Sequence, residues 1–437
     1  MTPRRLARAG CVLAAVAAGC AYYNGLYNAN RLMSQAETAQ EQGRSGEARA
    51  LYLQAAVKAE SVAVRHTASK WRDDALLLWG QGLRRAGSCR EAVPPLQLAV
   101  DSSADAALRE RATLELGACR VATSRPEAAI RVLGPLLDAS DSATVAEAAL
   151  WKGRAELQRG AYAAAAEDLR RAPPDSAAFD LALAYGAMDS LAAARRVLEA
   201  RREAPYAEDR WLPTLDSLGR RDAAVAADLT ELLAARPDLA ARERARLLLA
   251  DGARWEARGE VERAAARYAT AQAVAPDSPE AAVAGARLSL VDLRRAGDPA
   301  VLPELLDRLR AAGAAGGEAA RVASRAEVVL EQAVRALEPA AGPDGAVRLF
   351  WAAESLRDSL AAPRLAAALF WRIPQDHPTS FVAPKALLAA AALEPGRAEA
   401  AIELLTTRYR ESPYVLALAG AGAEAFRAAE DSLRRRP

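Results

Sequence analysis

The sequence predicts an all-α protein built as an α-solenoid, in which consecutive helix-turn-helix pairs stack on one another. Three observations lead to this prediction. Ala makes up about a quarter of the 437 residues, and runs of β-branched residues are scarce. The chain is too long for one compact core. Small and aromatic residues recur at intervals near the roughly 34 residues typical of a paired-helix repeat.

Residues 1–20 have the pattern of a secretory signal peptide: a basic start, then an apolar stretch too short to span a membrane, then Cys20. Residues 17–20, Ala-Ala-Gly-Cys, resemble the lipobox of bacterial lipoproteins, although Ala17 replaces the usual Leu. The resemblance implies that Cys20 is acylated and anchors the chain to a membrane, and Ala21 after it implies the outer membrane. Cleavage by the ordinary secretory peptidase, for example after Ala17, is the alternative.

Residues 21–30 form a Tyr- and Asn-rich tether that contains Tyr22, Tyr23 and Tyr27. Amphipathic rings this close to a lipid anchor are suited to the headgroup layer of a membrane. The same rings are equally suited to covering the exposed end of the first helical pair. Both interpretations stay open at this point.

The segment 252–276, GARWEARGEVERAAARYATAQAVAP, carries the repeat pattern most clearly. It resembles the tetratricopeptide repeat in the order and spacing of Gly252, Trp255, Gly259, Ala264, Tyr268, Ala271 and Pro276. The resemblance implies two antiparallel helices, brought close by small residues and sealed by the two aromatic rings.

The same register extends over residues 31–290, which we interpret as a repeat array. Repeat position 8, in the first helix, is small: Ala36, Gly80, Gly117, Gly153, Ala182 and Gly252. Position 15 is the turn: Gly43, Gly87, Ser124, Gly160, Asp189 and Gly259. Position 20 is Ala in each pair, and position 24 is large: Tyr52, Leu96, Leu133, Leu169, Leu198 and Tyr268. Because Gly is only 26 of 437 residues, its recurrence in two columns is informative.

Gly- and Pro-bearing breaks predict a hinge or irregular helical linker over 291–345, before a C-terminal helical-repeat segment over 346–437. In that segment, Ser380 with Phe381 and Ser412 with Tyr414 open two Ala-rich helices. This opening resembles the repeats of the tetratricopeptide lipoprotein of the outer-membrane β-barrel assembly machine. General helical-repeat patterning is the alternative explanation.

Composition argues against several classes of function. The net charge of +2 becomes about −1 once Arg4, Arg5 and Arg8 are removed, which gives no support to nucleic-acid binding. The only histidines, His66 and His377, have no ligand companions at metal-binding spacing. Phosphate-binding Gly loops and hydrolase motifs are absent from the sequence. We therefore expect no catalytic residue, cofactor or metal.

Cys89 and Cys119 remain after removal of Cys11 and acylation of Cys20. Cys89 begins the second helix of one pair and Cys119 lies near the end of the next first helix. Because consecutive helices run antiparallel, the two thiols are predicted to lie close enough for a disulfide in an oxidising periplasm. Two small buried free thiols are the alternative.

By resemblance to the repeat family, the first helices line a groove for a protein partner. The side chains expected in this groove are Gln81, Arg84, Arg85, Arg154, Gln158 and Glu256. Leu occupies the positions where one subclass grips a terminal carboxylate, so that clamp is absent. The alternative for Arg84 and Arg85 is a solvated helix end, where positive charge offsets the helix dipole.

These features predict a non-enzymatic protein–protein interaction scaffold, lipid-anchored on the periplasmic face of the outer membrane and accessory to envelope or outer-membrane protein assembly. Two alternatives stay open. One is a glycan-processing enzyme or peptidoglycan-associated factor built on a helical superhelix. The other is a soluble periplasmic regulator of the same repeat class.

Overall fold

A computed structural model describes residues 25–338, 343–420 and 422–434 of the chain. The predicted signal peptide, Cys20, Tyr22 and Tyr23 lie outside the described residues. Throughout the described part the regular structure is helical, so the predicted all-α class is confirmed. The chain divides into two compact units, the first ending at Arg221 and the second starting at Asp222.

The first unit contains eleven described helices. They are α1 (Tyr27–Glu41), α2 (Ser45–Arg65), α3 (Arg72–Arg85), α4 (Cys89–Ser102), α5 (Ala106–Ala122), α6 (Pro126–Leu133), α7 (Ser142–Arg159), α8 (Tyr162–Arg171), α9 (Pro174–Ala187), α10 (Leu191–Glu199) and α11 (Glu208–Arg221). From α1 to α10 each helix packs on the next, and the odd-numbered helices also contact one another in succession, α1 with α3 and so on to α9 with α11. This is the neighbour-to-neighbour packing of a solenoid of helix-turn-helix repeats.

The second unit contains twelve described helices. They are α12 (Ala223–Ala234), α13 (Ala241–Ala257), α14 (Val261–Val274), α15 (Pro279–Arg295), α16 (Leu302–Gly313), α17 (Gly317–Leu337), α18 (Pro343–Leu360), α19 (Pro363–Asp376), α20 (Ala383–Leu393), α21 (Ala398–Arg408), α22 (Pro413–Leu418) and α23 (Ala423–Arg434). Helix α15 contacts α13 and α17 as in the first unit, and it also contacts α19. The Arg364 side chain donates to the Arg295 carbonyl oxygen at 3.2 Å across this last contact.

The turn column of the repeat is confirmed by backbone conformation. All six residues at position 15 have positive φ, from +56° at Ser124 and Asp189 to +83° at Gly87. A chain that reverses between two close helices requires this left-handed conformation, which Gly adopts without a Cβ clash. This conformation therefore explains why Gly recurs at position 15. At Ser124 and Asp189, where the residue has a Cβ, the same conformation lowers stability.

The packing columns of the repeat are confirmed by what each small residue faces. A Cβ on Gly80, Gly117, Gly153 or Gly252 would overlap the side chain sixteen residues later, which is Leu96, Leu133, Leu169 and Tyr268 in turn. These large side chains are almost completely buried, as are the Ala residues of position 20. Removal of the Cβ lets the second helix approach, and the large side chain fills the remaining space.

Residues 291–345, expected to be a hinge or irregular linker, contain α16 and α17 in the described structure. Leu302, Leu305 and Leu309 of α16 are buried in one apolar cluster with Phe350 and Phe370 of the following helices. Pro303 lies at the start of α16, and Gly316 and Gly317, both with positive φ, lie at the start of α17. The division between the compact units falls instead after Arg221.

Two serines open C-terminal helices in different ways. Ser412 is the N-cap of α22, and its Oγ accepts from the amide of Val415 at 3.4 Å. Ser380 Oγ accepts from the amide of Val382 at 3.4 Å, one residue before α20 begins. Among the described helices, none has the length and apolarity needed to cross a membrane.

Candidate interaction surface

The first helices of successive pairs form a polar surface in the first unit. Helix α5 lies between α3 and α7, and polar side chains from both neighbours reach it. Gln81 Nε2 donates to Glu115 Oε1 at 3.2 Å, and Arg84 pairs with the other oxygen of the same carboxylate. Gln158 Nε2 donates to the Val121 carbonyl oxygen at 3.1 Å. The structure therefore brings Gln81, Arg84 and Gln158 together around α5.

Arg154 continues this surface toward α9. Its guanidinium contacts Asp180 at 2.8 Å and lies 4.8 Å from the ring centroid of Trp151. Asp180 also forms an ion pair with Arg210 of α11 at 3.1 Å, so one carboxylate contacts side chains of two other first helices. Because adjacent first helices are one repeat apart, these charge pairs link positions about 30 residues apart in sequence.

Arg85 and Glu256 lie away from this surface. Arg85 pairs with Glu37 of α1 at 3.4 Å and lies 5.9 Å from the ring centroid of Tyr52. Each guanidinium therefore has a carboxylate partner on a neighbouring first helix. Both arginines also line clefts, Arg84 beside Cys89 and Arg85 beside Tyr52.

Glu256 belongs to the second unit, where it joins three helices. It accepts from the Tyr268 hydroxyl at 2.6 Å and from Arg294 at 2.6 Å, with Arg287 at 3.5 Å. Burial alone would raise the pKa of Glu256, but the hydrogen bonds from Tyr268 and Arg294 outweigh it and lower the pKa. Burial and the Glu256 carboxylate raise the pKa of Tyr268. The Glu256 carboxylate thus joins the two helices of the clearest repeat to each other and to the next first helix.

A cleft opens beside the ends of α3 and α5. Its lining joins three basic or acidic side chains, one aromatic ring and small residues of the turn: Arg84, Gly87, Ser88, Cys89, Arg90, Glu91, Ala118, Ala122, Thr123 and Trp151. We call this the Arg84 cleft. It draws residues from three consecutive pairs, and Arg90, Glu91 and Ala122 are exposed at its rim. Basic and aromatic side chains on a concave surface are suited to binding a peptide.

Cys89 and Cys119 are joined as a disulfide at the edge of this cleft, with Cα atoms 4.9 Å apart. The bond links the first residue of α4 to α5, one turn beyond Glu115. Cys119 is fully buried, whereas Cys89 is partly exposed and lines the cleft. The antiparallel arrangement of adjacent helices produces this proximity, as the spacing predicts.

A buried charge cluster lies on the other side of α7. Lys152 Nζ contacts Glu156 Oε1 at 2.8 Å and also pairs with Asp168 of α8. Glu156 and Asp168 are both nearly inaccessible to solvent, and Glu156 Oε2 has no hydrogen-bond partner. Burial, with the nearby Asp168 carboxylate, raises the pKa of Glu156. One cation thus pairs with two buried acids inside the pair α7 and α8, which directly follows the two pairs joined by the disulfide.

Sequence reasoning identified Arg84 and Arg154 but missed their partners. Glu115 and Asp180 each lie on the first helix of the next pair from the arginine that they contact, whereas Trp151 lies on the same helix as Arg154. A signal was available in the spacing, since acids near 30 residues after a basic first-helix position face it in a repeat array. Within the described residues, no group of three or more His, Cys, Asp or Glu residues is arranged to hold a metal.

No protein-family model and no curated protein matches the sequence. Among solved structures, the chain is similar to a tetratricopeptide repeat protein from Parabacteroides merdae ATCC 43184, with 16% identity over 61% of this chain and 99% of that one, and a TM-score of 0.38. It is also similar to Naa15/Naa10 bound to HypK-THB, with 15% identity over 94% and 64% of the two chains and a TM-score of 0.30. The APC/C hetero-tetramer Cut9-Hcn1 gives 13% identity over 93% and 96%, with a TM-score of 0.29. At these TM-scores the likenesses add nothing to the fold assignment, which rests on the helix pairs described above.

Proposed function

We propose that this chain is a non-enzymatic scaffold that binds a protein partner through the Arg84 cleft while an acylated Cys20 holds it at the periplasmic face of the outer membrane. The observation that carries the binding proposal is the cleft itself, which collects Arg84 and Arg90 from one helix pair and Trp151 from the pair after next. A repeat array offers such composite surfaces because its stability needs only neighbour contacts. The proposed process is envelope or outer-membrane protein assembly.

The partner that fits this cleft is an extended segment with acidic and apolar side chains. Arg90 is exposed at the rim, and Trp151 offers a partly exposed ring beside the Arg154 guanidinium. A partner carboxylate would pair with Arg90 without displacing Glu115 from Arg84. An apolar side chain would cover the Trp151 ring.

The envelope location is supported by two independent features. The first feature is the leader with its resemblance to a lipobox. The second is the disulfide, which joins the two cysteines that remain after removal of Cys11 and acylation of Cys20. Structural disulfides persist in oxidising compartments such as the bacterial periplasm. Several acyl chains on one Cys, each buried methylene contributing about 0.8 kcal/mol, would hold the protein firmly on a membrane surface.

The binding proposal is tested by affinity purification from crosslinked envelopes. Arg90→Glu reverses the charge of an exposed rim residue, and Arg131→Glu makes the same change at an exposed residue of α6 outside the cleft lining. We expect Arg90→Glu to lose the partner that wild type and Arg131→Glu retain. Equal recovery from all three proteins, or recovery of peptidoglycan alone, would count against the cleft.

The anchoring proposal is tested separately. We expect wild type to partition into the detergent phase and Cys20→Ala to remain in the aqueous phase, with an acylated Cys20 peptide found by mass spectrometry. Aqueous partitioning of the wild-type protein would instead indicate a soluble periplasmic regulator.

A further inference from the structure

Helix α2 carries an apolar stripe on its exposed side. Leu53, Val57 and Val64 are 37%, 61% and 60% exposed, respectively. They follow one another at steps of four and seven residues, so they lie on one helix face. Gly46 and Ala50 continue the same face toward the helix start, and both are exposed. Elsewhere in the described residues, large exposed apolar side chains are isolated or, like Leu416 and Leu418, about 200° apart on a helix, so this stripe is unusual.

Basic side chains accompany the stripe on one edge. Lys58 and Arg65 each follow a stripe residue directly and are exposed, which places them about 100° around the helix from Val57 and Val64. Glu60, which is partly exposed, lies at the opposite edge together with the exposed Arg49. The exposed Glu47 lies on the edge of Lys58 and Arg65 and pairs with Arg44. An apolar strip with cations along one side matches the chemistry of an anionic membrane surface.

The start of the described chain lies against the same helix. Gly25 packs on the buried side of α2 so closely that a Cβ there would overlap the Val62 side chain, which lies about 200° around the helix from Val64. Four residues lie between Cys20 and Gly25, and these five residue steps span at most about 18 Å, which exceeds the helix diameter of about 10–12 Å. Val57 and Val64 are separated by about 10 Å along the helix. A lipid on Cys20 would therefore place a membrane surface within reach of the stripe.

We infer that the exposed face of α2, formed by Leu53, Val57 and Val64 with Lys58 and Arg65, lies on the anionic lipid surface that holds the acylated Cys20. This inference rests on the anchoring part of the proposed function. Contact at both Cys20 and α2 restricts rotation of the first helical pair about the anchor. A second copy of the chain is a poorer occupant, because three side chains cover far less than the roughly 800 Å² per partner of a stable dimer.

The test uses the full acylated chain in vesicles of phosphatidylethanolamine and phosphatidylglycerol with brominated acyl chains, which quench nearby fluorophores. Single Cys variants at Val57, Val64 and Leu98 are labelled without reductant, so the bonded Cys89 and Cys119 stay unlabelled. Leu98 is the matched control, because it is a 47% exposed apolar residue on α4 outside the stripe. We expect loss of most fluorescence at Val57 and Val64, and little loss at Leu98.

A second pair of variants separates the stripe from the anchor. Both variants carry the label at Val57. We expect the double variant Lys58→Glu, Arg65→Glu to reduce the quenching of this label and Arg131→Glu to leave it unchanged. Equal quenching at all three labels, or none at Val57 and Val64, would overturn the inference while the acyl mass on Cys20 is intact. If that mass is absent, the anchoring proposal fails and the inference fails with it, so the two failures are distinguished by mass spectrometry.

Discussion

The left-handed residue between the two helices of a pair limits which side chains the turn accepts. Gly160 ends α7 with φ of +78°, whereas Gly134 follows α6 with φ of −50° and open space where a Cβ would lie. A Cβ at positive φ costs about 1 kcal/mol or more. Helical φ carries no such cost.

We expect Gly160→Ala to lower the free energy of unfolding by about 1 kcal/mol. Ser124→Gly removes a Cβ at φ of +56° and is expected to raise it by a few tenths to about 1 kcal/mol. Gly134→Ala is the matched control and should leave stability unchanged or slightly raised. Denaturant unfolding measures all three, and equal losses for both Gly→Ala variants would contradict this role of the turn.

In the buried Lys152 cluster, the titration of one residue, Glu156, makes the stability of the fold depend on pH. Burial raises the folded-state pKa of Glu156 above its ordinary value of 4.5. The folded protein therefore binds more protons than the unfolded chain in the window just above 4.5, and stability falls as pH rises through that window. Glu156→Gln removes this titration.

We expect the free energy of unfolding of wild type, relative to Glu156→Gln, to decrease as pH rises from 4.5 toward neutrality. Lys152→Met is the contrasting variant, since it leaves two buried acids without a cation and is expected to cost about 3 kcal/mol at neutral pH. Denaturant unfolding across this pH range measures both effects. A difference between wild type and Glu156→Gln that does not change with pH would exclude a raised pKa.

At the scale of the element, the two helices of a pair depend on one contact between a small and a large residue. Gly117 of α5 faces Leu133 of α6 so closely that a Cβ would overlap the leucine. Gly117→Ala is therefore expected to destabilise by about 1–3 kcal/mol through overpacking. In a double-mutant cycle with Leu133→Ala, the loss should be smaller than the sum of the single losses, because the shortened side chain accepts the new methyl.

Gly46→Ala provides the control for this cycle. Gly46 lies in α2 with nothing near its missing Cβ, so its replacement should stabilise the helix slightly. Strict additivity of Gly117→Ala and Leu133→Ala would show that the two residues do not share one contact.

The sequence was sufficient to predict the helix pairs but not the ion pairs and hydrogen bonds that join one pair to the next. Gly117 and Leu133 are sixteen residues apart, and the same spacing separates the small and the large residue in every clear repeat. Their contact therefore depends only on the geometry within one helix pair, which local spacing specifies. The contact of Arg84 with Glu115 depends instead on how far one pair rotates against the next. That rotation follows from the packing of whole helices, and a single spacing does not determine it. The Arg84 cleft was missed for the same reason.

The disulfide joins two elements, α4 and α5, across the boundary between two pairs. Closing a loop of 30 residues is expected to contribute about 3.6 kcal/mol to stability. Because each pair contacts mainly its neighbours, reduction should lower amide protection in α3, α4 and α5 and leave α13 and α14 unchanged. Hydrogen exchange with and without reductant measures this, and two free thiols in non-reducing mass analysis would exclude the bond.

At the scale of the whole molecule, each described unit is a series of helix pairs whose charged first-helix side chains are largely engaged with one another. Arg84, Arg154 and Glu256 each hold a partner on a neighbouring first helix. The side chains left for a ligand are those at rims, such as Arg90 and the partly exposed Trp151. Binding at the Arg84 cleft therefore requires little rearrangement of the array.

Site-specific photocrosslinking in intact envelopes tests the central claim most directly. A photoreactive residue replaces Ala122, exposed in the cleft lining, or Ala163, exposed on α8 outside it. We predict a discrete crosslinked protein from Ala122 that is lost with Arg90→Glu and absent from Ala163. The same products from both positions, or no protein product from Ala122, would contradict a scaffold that works through this cleft.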